Sequence, residues 1–96
     1  MTNTPTYDFT KLQGLLQSAG ITVSDASKIF KVSRQTLYAW MRGTPPNQKL
    51  LLDTAERLVS IISRAVKARD LPVMDADDDE KRFNEIMLRL KKHING

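Results

Sequence analysis

Three observations predict an all-α fold of five helices. Apolar residues recur at three- and four-residue spacing along most of the chain. Ser, Thr, Asp or Asn precedes most of these runs and Gly or Pro follows them, which are the residue types that start and stop helices. No segment alternates apolar and polar residues as a half-buried strand does. With 96 residues, 41% of them hydrophobic, the chain suffices for one small domain or for one core plus an extension. The expected division is a disordered polar lead-in at 1–7, a domain at 8–71 that includes a long fourth helix, and a helical extension at 72–96.

The elements follow in order. Asp8 is placed to cap a first helix with Leu12, Leu15 and Leu16 on one face, ended by Ala19-Gly20. Thr22-Val23-Ser24-Asp25 resembles a capping box for a second helix that runs to about Phe30, with Ala26, Ile29 and Phe30 inward. Ser33 is a strong cap for a third, on which Leu37, Trp40 and Met41 share a face and Gly43 supplies the stop. Pro45-Pro46 cannot continue a helix. Asn47 is then expected to cap a fourth helix reaching about Arg69.

That fourth helix carries two apolar stripes, one from Leu52 to Val66 and one from Leu51 to Ala68. A face this wide covers more than one surface. One stripe should close the core, and the other should meet a fifth helix, a second chain, or both. After Leu71-Pro72-Val73, the fifth helix should start within residues 75–80 and end near Lys91-Lys92-His93. That puts acids at its positive end and bases at its negative end. Phe83, Met87, Leu90 and Ile94 form a narrow seam along it. His93 reads as a solvated side chain.

The stretch Thr22–Gly43 carries the functional signal. Two short helical patterns flank a tight turn, which is how a helix-turn-helix reads in sequence. That motif presents one helix end to the edges of DNA bases. Net charge is +4. Residues 1–43 carry five basic and two acidic groups, residues 44–71 five and three, and residues 72–96 five and six. The excess therefore sits with the motif, and a basic balance favours nucleic acid as partner.

The run from Asp25 to Trp40, and above all Val32-Ser33-Arg34 with Thr36-Leu37-Tyr38 and Trp40, resembles the helix-turn-helix of the bacterial and phage repressor superfamily that includes the lambda repressor and Cro proteins. The likeness covers roughly residues 9–50. It implies core roles for Ala26, Phe30, Val32, Leu37 and Trp40. Arg34 and Gln35 would start the recognition helix and face the major groove. Tyr38 and Arg42 would lie further along its DNA side, and Ala39 would meet a thymine methyl. Ser33 would cap that helix and reach a phosphate.

The chain departs from the family at three places. Lys31 stands where a Gly is usual, at a position favouring positive φ, where lysine costs about 1 kcal/mol relative to Gly. Ser27 replaces a close-packed alanine. Val23 replaces a phosphate-gripping Gln, leaving Thr22, Ser24 or the backbone amides at the helix start to do that work.

The expected base contacts are thus Arg34, Gln35, Tyr38 and Ala39. Arginine matches O6 and N7 of guanine, glutamine matches N6 and N7 of adenine, and each bidentate contact carries ~1–3 kcal/mol of discrimination. Expected phosphate contacts are Thr22, Ser24, Lys28, Lys31, Ser33, Arg42, Thr44 and Lys49, which set register and carry the salt dependence.

One such unit reads only a few base pairs, so a homodimer on half-sites ~34 Å apart is expected. Phe83, Met87, Leu90 and Ile94 are its candidate interface, at roughly 1.5–3 kcal/mol per buried side chain as an upper figure. The same residues could instead fold back on the fourth helix.

The expected function is a transcriptional regulator of bacterial or phage origin, acting as a dimeric repressor on double-stranded DNA. The alternatives are a DNA-binding adaptor (an antitoxin, recombination or packaging subunit) with a second protein partner, or a helical protein-interaction module. No cysteine is present, which excludes disulfides, thiol catalysis and cysteine-based zinc sites. Asp75, Asp77 and Asp79 imitate the start of a calcium loop, but Glu80 and Ile86 occupy its Gly and Glu positions. No nucleophile–base pair stands out, so no catalytic residue, metal or cofactor is expected. The first residues lack the layout of a secretory signal and no apolar run is of membrane-spanning length. A cytoplasmic, nucleoid-associated protein is therefore expected.

Overall fold

The computed structural model describes residues 7–74 and 76–94. Most of the expected lead-in, residues 1–6, lies outside the described residues, as does Asp75. Tyr7 does not belong to a loose lead-in. Its N–H donates to Glu56 Oε2 at 3.0 Å, and its ring meets Phe9 edge-on at a centroid distance of 5.1 Å. Burial, and after it the Asp8 charge, raises the Tyr7 hydroxyl above its ordinary pKa.

Among the described residues the fold is all-helical. Five α-helices follow one 3-10 turn, and none is long and apolar enough to cross a membrane. The turn, Phe9–Lys11, is capped by Asp8, whose Oδ1 accepts from the Thr10 N–H at 3.1 Å and from its hydroxyl at 2.6 Å. These bonds hold the Asp8 carboxyl below its ordinary pKa.

Helix α1, Leu12–Ala19, follows directly and buries Leu12, Leu16 and Ala19. Gly20 ends it at φ 67°, and a Cβ built there would stand 2.7 Å from Pro72 Cβ. Glycine is needed at this point both for the left-handed turn and for the close approach of the segment around Pro72.

Helices α2, Val23–Phe30, and α3, Arg34–Met41, come next. Their shared core is aromatic. Trp40 stands edge-on to Phe9 at 5.6 Å and to Phe30 at 6.0 Å, the edge-to-face geometry that ring quadrupoles favour.

Helix α4, Lys49–Lys67, packs along α1 and buries Leu52, Ala55, Val59, Ile61, Ile62 and Ala65. Asn47 does not cap it. Gln48 holds the cap position without a side-chain bond, because the extended path after Pro45-Pro46 runs one residue further than expected. The helix also stops two residues short of Arg69. Asp70 N–H bonds to Ala65 O at 2.9 Å and Arg69 N–H to Val66 O at 3.1 Å, with Arg69 at φ 63° and Leu71 buried behind it. That is the hydrogen-bond pattern of a Schellman ending.

Helix α5, Asp79–Lys91, starts at Asp78, whose Oδ1 accepts from Lys81 N–H at 2.7 Å. It folds back on α4, and its inward residues are Ile86, fully buried, and Leu90. The seam read from spacing is therefore rotated. Phe83 and Met87 lie half-buried at its edge, and Ile94 is 48% exposed.

Polar contacts set this rotation. Arg82 reaches Asp25 on α2 at 3.3 Å. His93 Nε2 meets Asp70 Oδ2 at 2.7 Å, and Arg89 donates to Asp70 O at 2.6 Å. His93 is thus a partly buried tether and not a solvated side chain. The His93 bond, followed by the nearby Lys92, His93 and Arg89 charges, holds the Asp70 carboxyl below its ordinary pKa.

Candidate nucleic-acid interface

The turn between α2 and α3 is fixed by backbone and hydroxyl bonds local to it. Thr22 Oγ1 accepts from the Asp25 N–H at 3.1 Å and caps α2. This is half of the expected capping box, because the Asp25 carboxylate turns away to Arg82. At the other end Lys31 adopts φ 57° and ψ 44°, and its N–H, like that of Val32, bonds to Ser27 O. The lysine takes the left-handed conformation that the position requires. Ser33 is extended at φ −70°, ψ 159°, and its Oγ accepts from Thr36 N–H at 3.1 Å. Ser27 fits without strain, its hydroxyl donating to Ser24 O.

The orientation of α3 follows from which residues are buried. Leu37 is fully buried and Trp40 is 2% exposed. Arg34, Gln35, Tyr38 and Arg42 are exposed, Tyr38 by 47%. At 3.6 residues per turn those four side chains fall within an arc of about 100°, opposite Leu37 and Trp40. Ala39 borders the arc and is half-buried. Thr22, Ser24, Lys31, Ser33, Thr44 and Lys49 are exposed as well. Among the described residues none of Lys31, Arg34, Arg42 and Lys49 forms a salt bridge with a carboxylate. These exposed residues therefore present a planar fork, a primary amide, a phenol and several cations that no carboxylate among the described residues pairs with.

Lys28 stands apart from this group. Its Nζ lies 5.3 Å from the centroid of the Phe83 ring, and it shares a hollow with Asp25, Asp79 and Glu80. The amine holds α5 against α2 by cation–π attraction and nearby negative charge, so it is not gathered with the expected phosphate contacts. Of the four expected interface residues, three on α5 and Ile94 just beyond it, Leu90 is used inside the chain and Phe83 is covered by Lys28. Met87 and Ile94 keep exposed surface.

Two contacts that seat α5 escaped the sequence. Asp25 is 6% exposed and pairs with Arg82, whose Nε is buried without a hydrogen-bond partner among the described residues. The pair spans 57 residues, and its one sequence signal is an acid in the inward-facing first turn of α2. The second is the Asp70–His93–Arg89 tether, of which no local pattern gives notice. No family model, no curated protein and no solved structure matches the chain.

Proposed function

We propose that this chain is a sequence-specific double-stranded DNA-binding protein, and that it regulates transcription as a homodimeric repressor. One observation carries the reading. Arg34, Gln35, Tyr38 and Arg42 project from the side of α3 opposite two buried anchors, Leu37 and Trp40. An exposed arginine and glutamine at the start of a short, rigidly seated helix are the donors and acceptors that the major groove discriminates. Ser33 and Thr22 accept bonds from the backbone at helix starts, and such helix starts favour phosphate. A single α3 of 8 residues reads few base pairs, so two copies on adjacent half-sites supply the specificity.

Selection of binding sites from random duplexes, followed by titration of Arg34→Ala, tests the reading. The variant should lose ~1–3 kcal/mol on the selected site and relax preference at one base pair, with helical content unchanged. An equal loss on every duplex would reassign Arg34 to a phosphate. No binding of the parent chain at low salt would end the proposal.

A further inference from the structure

We infer that the joined carboxyl-terminal ends of α4 and α5 form a second contact surface for the phosphate backbone of duplex DNA, independent of sequence and separate from α3. The inference rests on the DNA-binding reading above and names a further contact to the same ligand.

The two helix ends are laced together. Arg64 Nη1 donates to His93 O at 3.1 Å, and His93 and Arg89 both bond to Asp70. Lys67, Arg69 and Lys92 are exposed around this joint, and among the described residues none of them forms a salt bridge. The nearby carboxylates are engaged, Asp70 by His93 and Glu85 by Arg89 at 3.0 Å. Among the described residues the surface thus keeps the positive charge of Lys67, Arg69 and Lys92.

Helix dipoles account for Lys67 and Lys92, which sit at or beside the last turns. They do not account for Arg69. That residue lies past the end of α4 at φ 63°, a left-handed position where glycine is the unstrained choice. A cation held in a disfavoured backbone conformation at an exposed site marks a functional constraint. The joint lies at the end of a helix of 19 residues, about 28 Å along the axis from Lys49. A contact there extends the footprint along the DNA without reading bases.

The test compares the full chain with Arg69→Gly/Lys92→Gln on a duplex carrying the selected site and several turns of flanking DNA. Arg57→Gln/Lys81→Gln, which removes two exposed cations elsewhere, is the control. The slope of log affinity against log salt should shrink by about 0.9 for each lost phosphate contact, so by about 1.8 in the double variant, and not in the control. Base preference should stay as in the parent chain. The glycine should at the same time raise the melting temperature, a gain that a purely structural Arg69 would show without any change in slope. An unchanged slope, or an equal loss in the control, overturns the inference while leaving α3 its role. Absence of duplex binding by the parent chain overturns both readings.

Discussion

Lys31 and Arg69 are the two described residues other than glycine that hold positive φ, and each carries a cation just past the end of a helix. For Lys31 this sets stability against binding. Lys31→Gly should stabilise the fold by up to about 1 kcal/mol, the relieved left-handed strain less the added unfolded-state entropy of glycine. It should also lower the salt slope of DNA binding by ~0.9 if Lys31 holds a phosphate. Denaturant titration and binding at two salt concentrations check both signs. Gly20 presents the opposite case. Gly20→Ala meets both a positive φ and Pro72 Cβ at 2.7 Å, and should cost about 2–4 kcal/mol in urea unfolding. The value of glycine at position 20 as a helix stop was legible in the sequence. Its packing against Pro72 was not, because nothing local ties two residues that far apart.

Among the elements, α5 differs most from its sequence reading. Caps at Thr22, Ser33 and Asp78 join residues three apart, so a sequence window contains the whole interaction. The rotation of α5 depends on Arg82–Asp25 and His93–Asp70, pairs separated by 57 and 23 residues. Spacing alone gave an apolar face but not the angle at which it turns, and Ile86 went unrecognised as its centre. Ile86→Ala should therefore cost about 2–5 kcal/mol, more than truncation of the edge residue Met87, in thermal or urea unfolding. The Asp70 tether makes the seating of α5 sensitive to acid. Because the folded carboxyl titrates below its ordinary 3.8, the tether contributes stability above that value and loses it as pH falls through the depressed one. Acid unfolding monitored by circular dichroism should begin at lower pH in the parent chain than in a His93→Ala variant, in which that depression is largely removed.

At the scale of the molecule, the body measures 45 × 28 × 19 Å, with α5 packed on α4 and tied to α2 through Arg82 and Asp25. The all-α class and the order of helices were legible because each helix carries its own periodicity and punctuation. The surface left for a second copy was not, since it depends on which apolar residues the chain uses internally. Met87 and Ile94 remain at that surface, while Leu90 does not. If the proposed homodimer forms there, Met87→Glu/Ile94→Asp should leave a folded monomer by sedimentation and weaken binding to the selected duplex. A dimer that persists would place the interface elsewhere. The seating of α3 also provides its own reporter. The chain has one tryptophan, and Trp40, wedged between Phe9 and Phe30, is 2% exposed. Its intrinsic emission should be blue in the native protein and move to the red only when α3 leaves its bed. Ligand occupying the opposite side of that helix should leave the colour unchanged, so one unlabelled optical signal separates loss of binding from loss of the scaffold that makes binding possible.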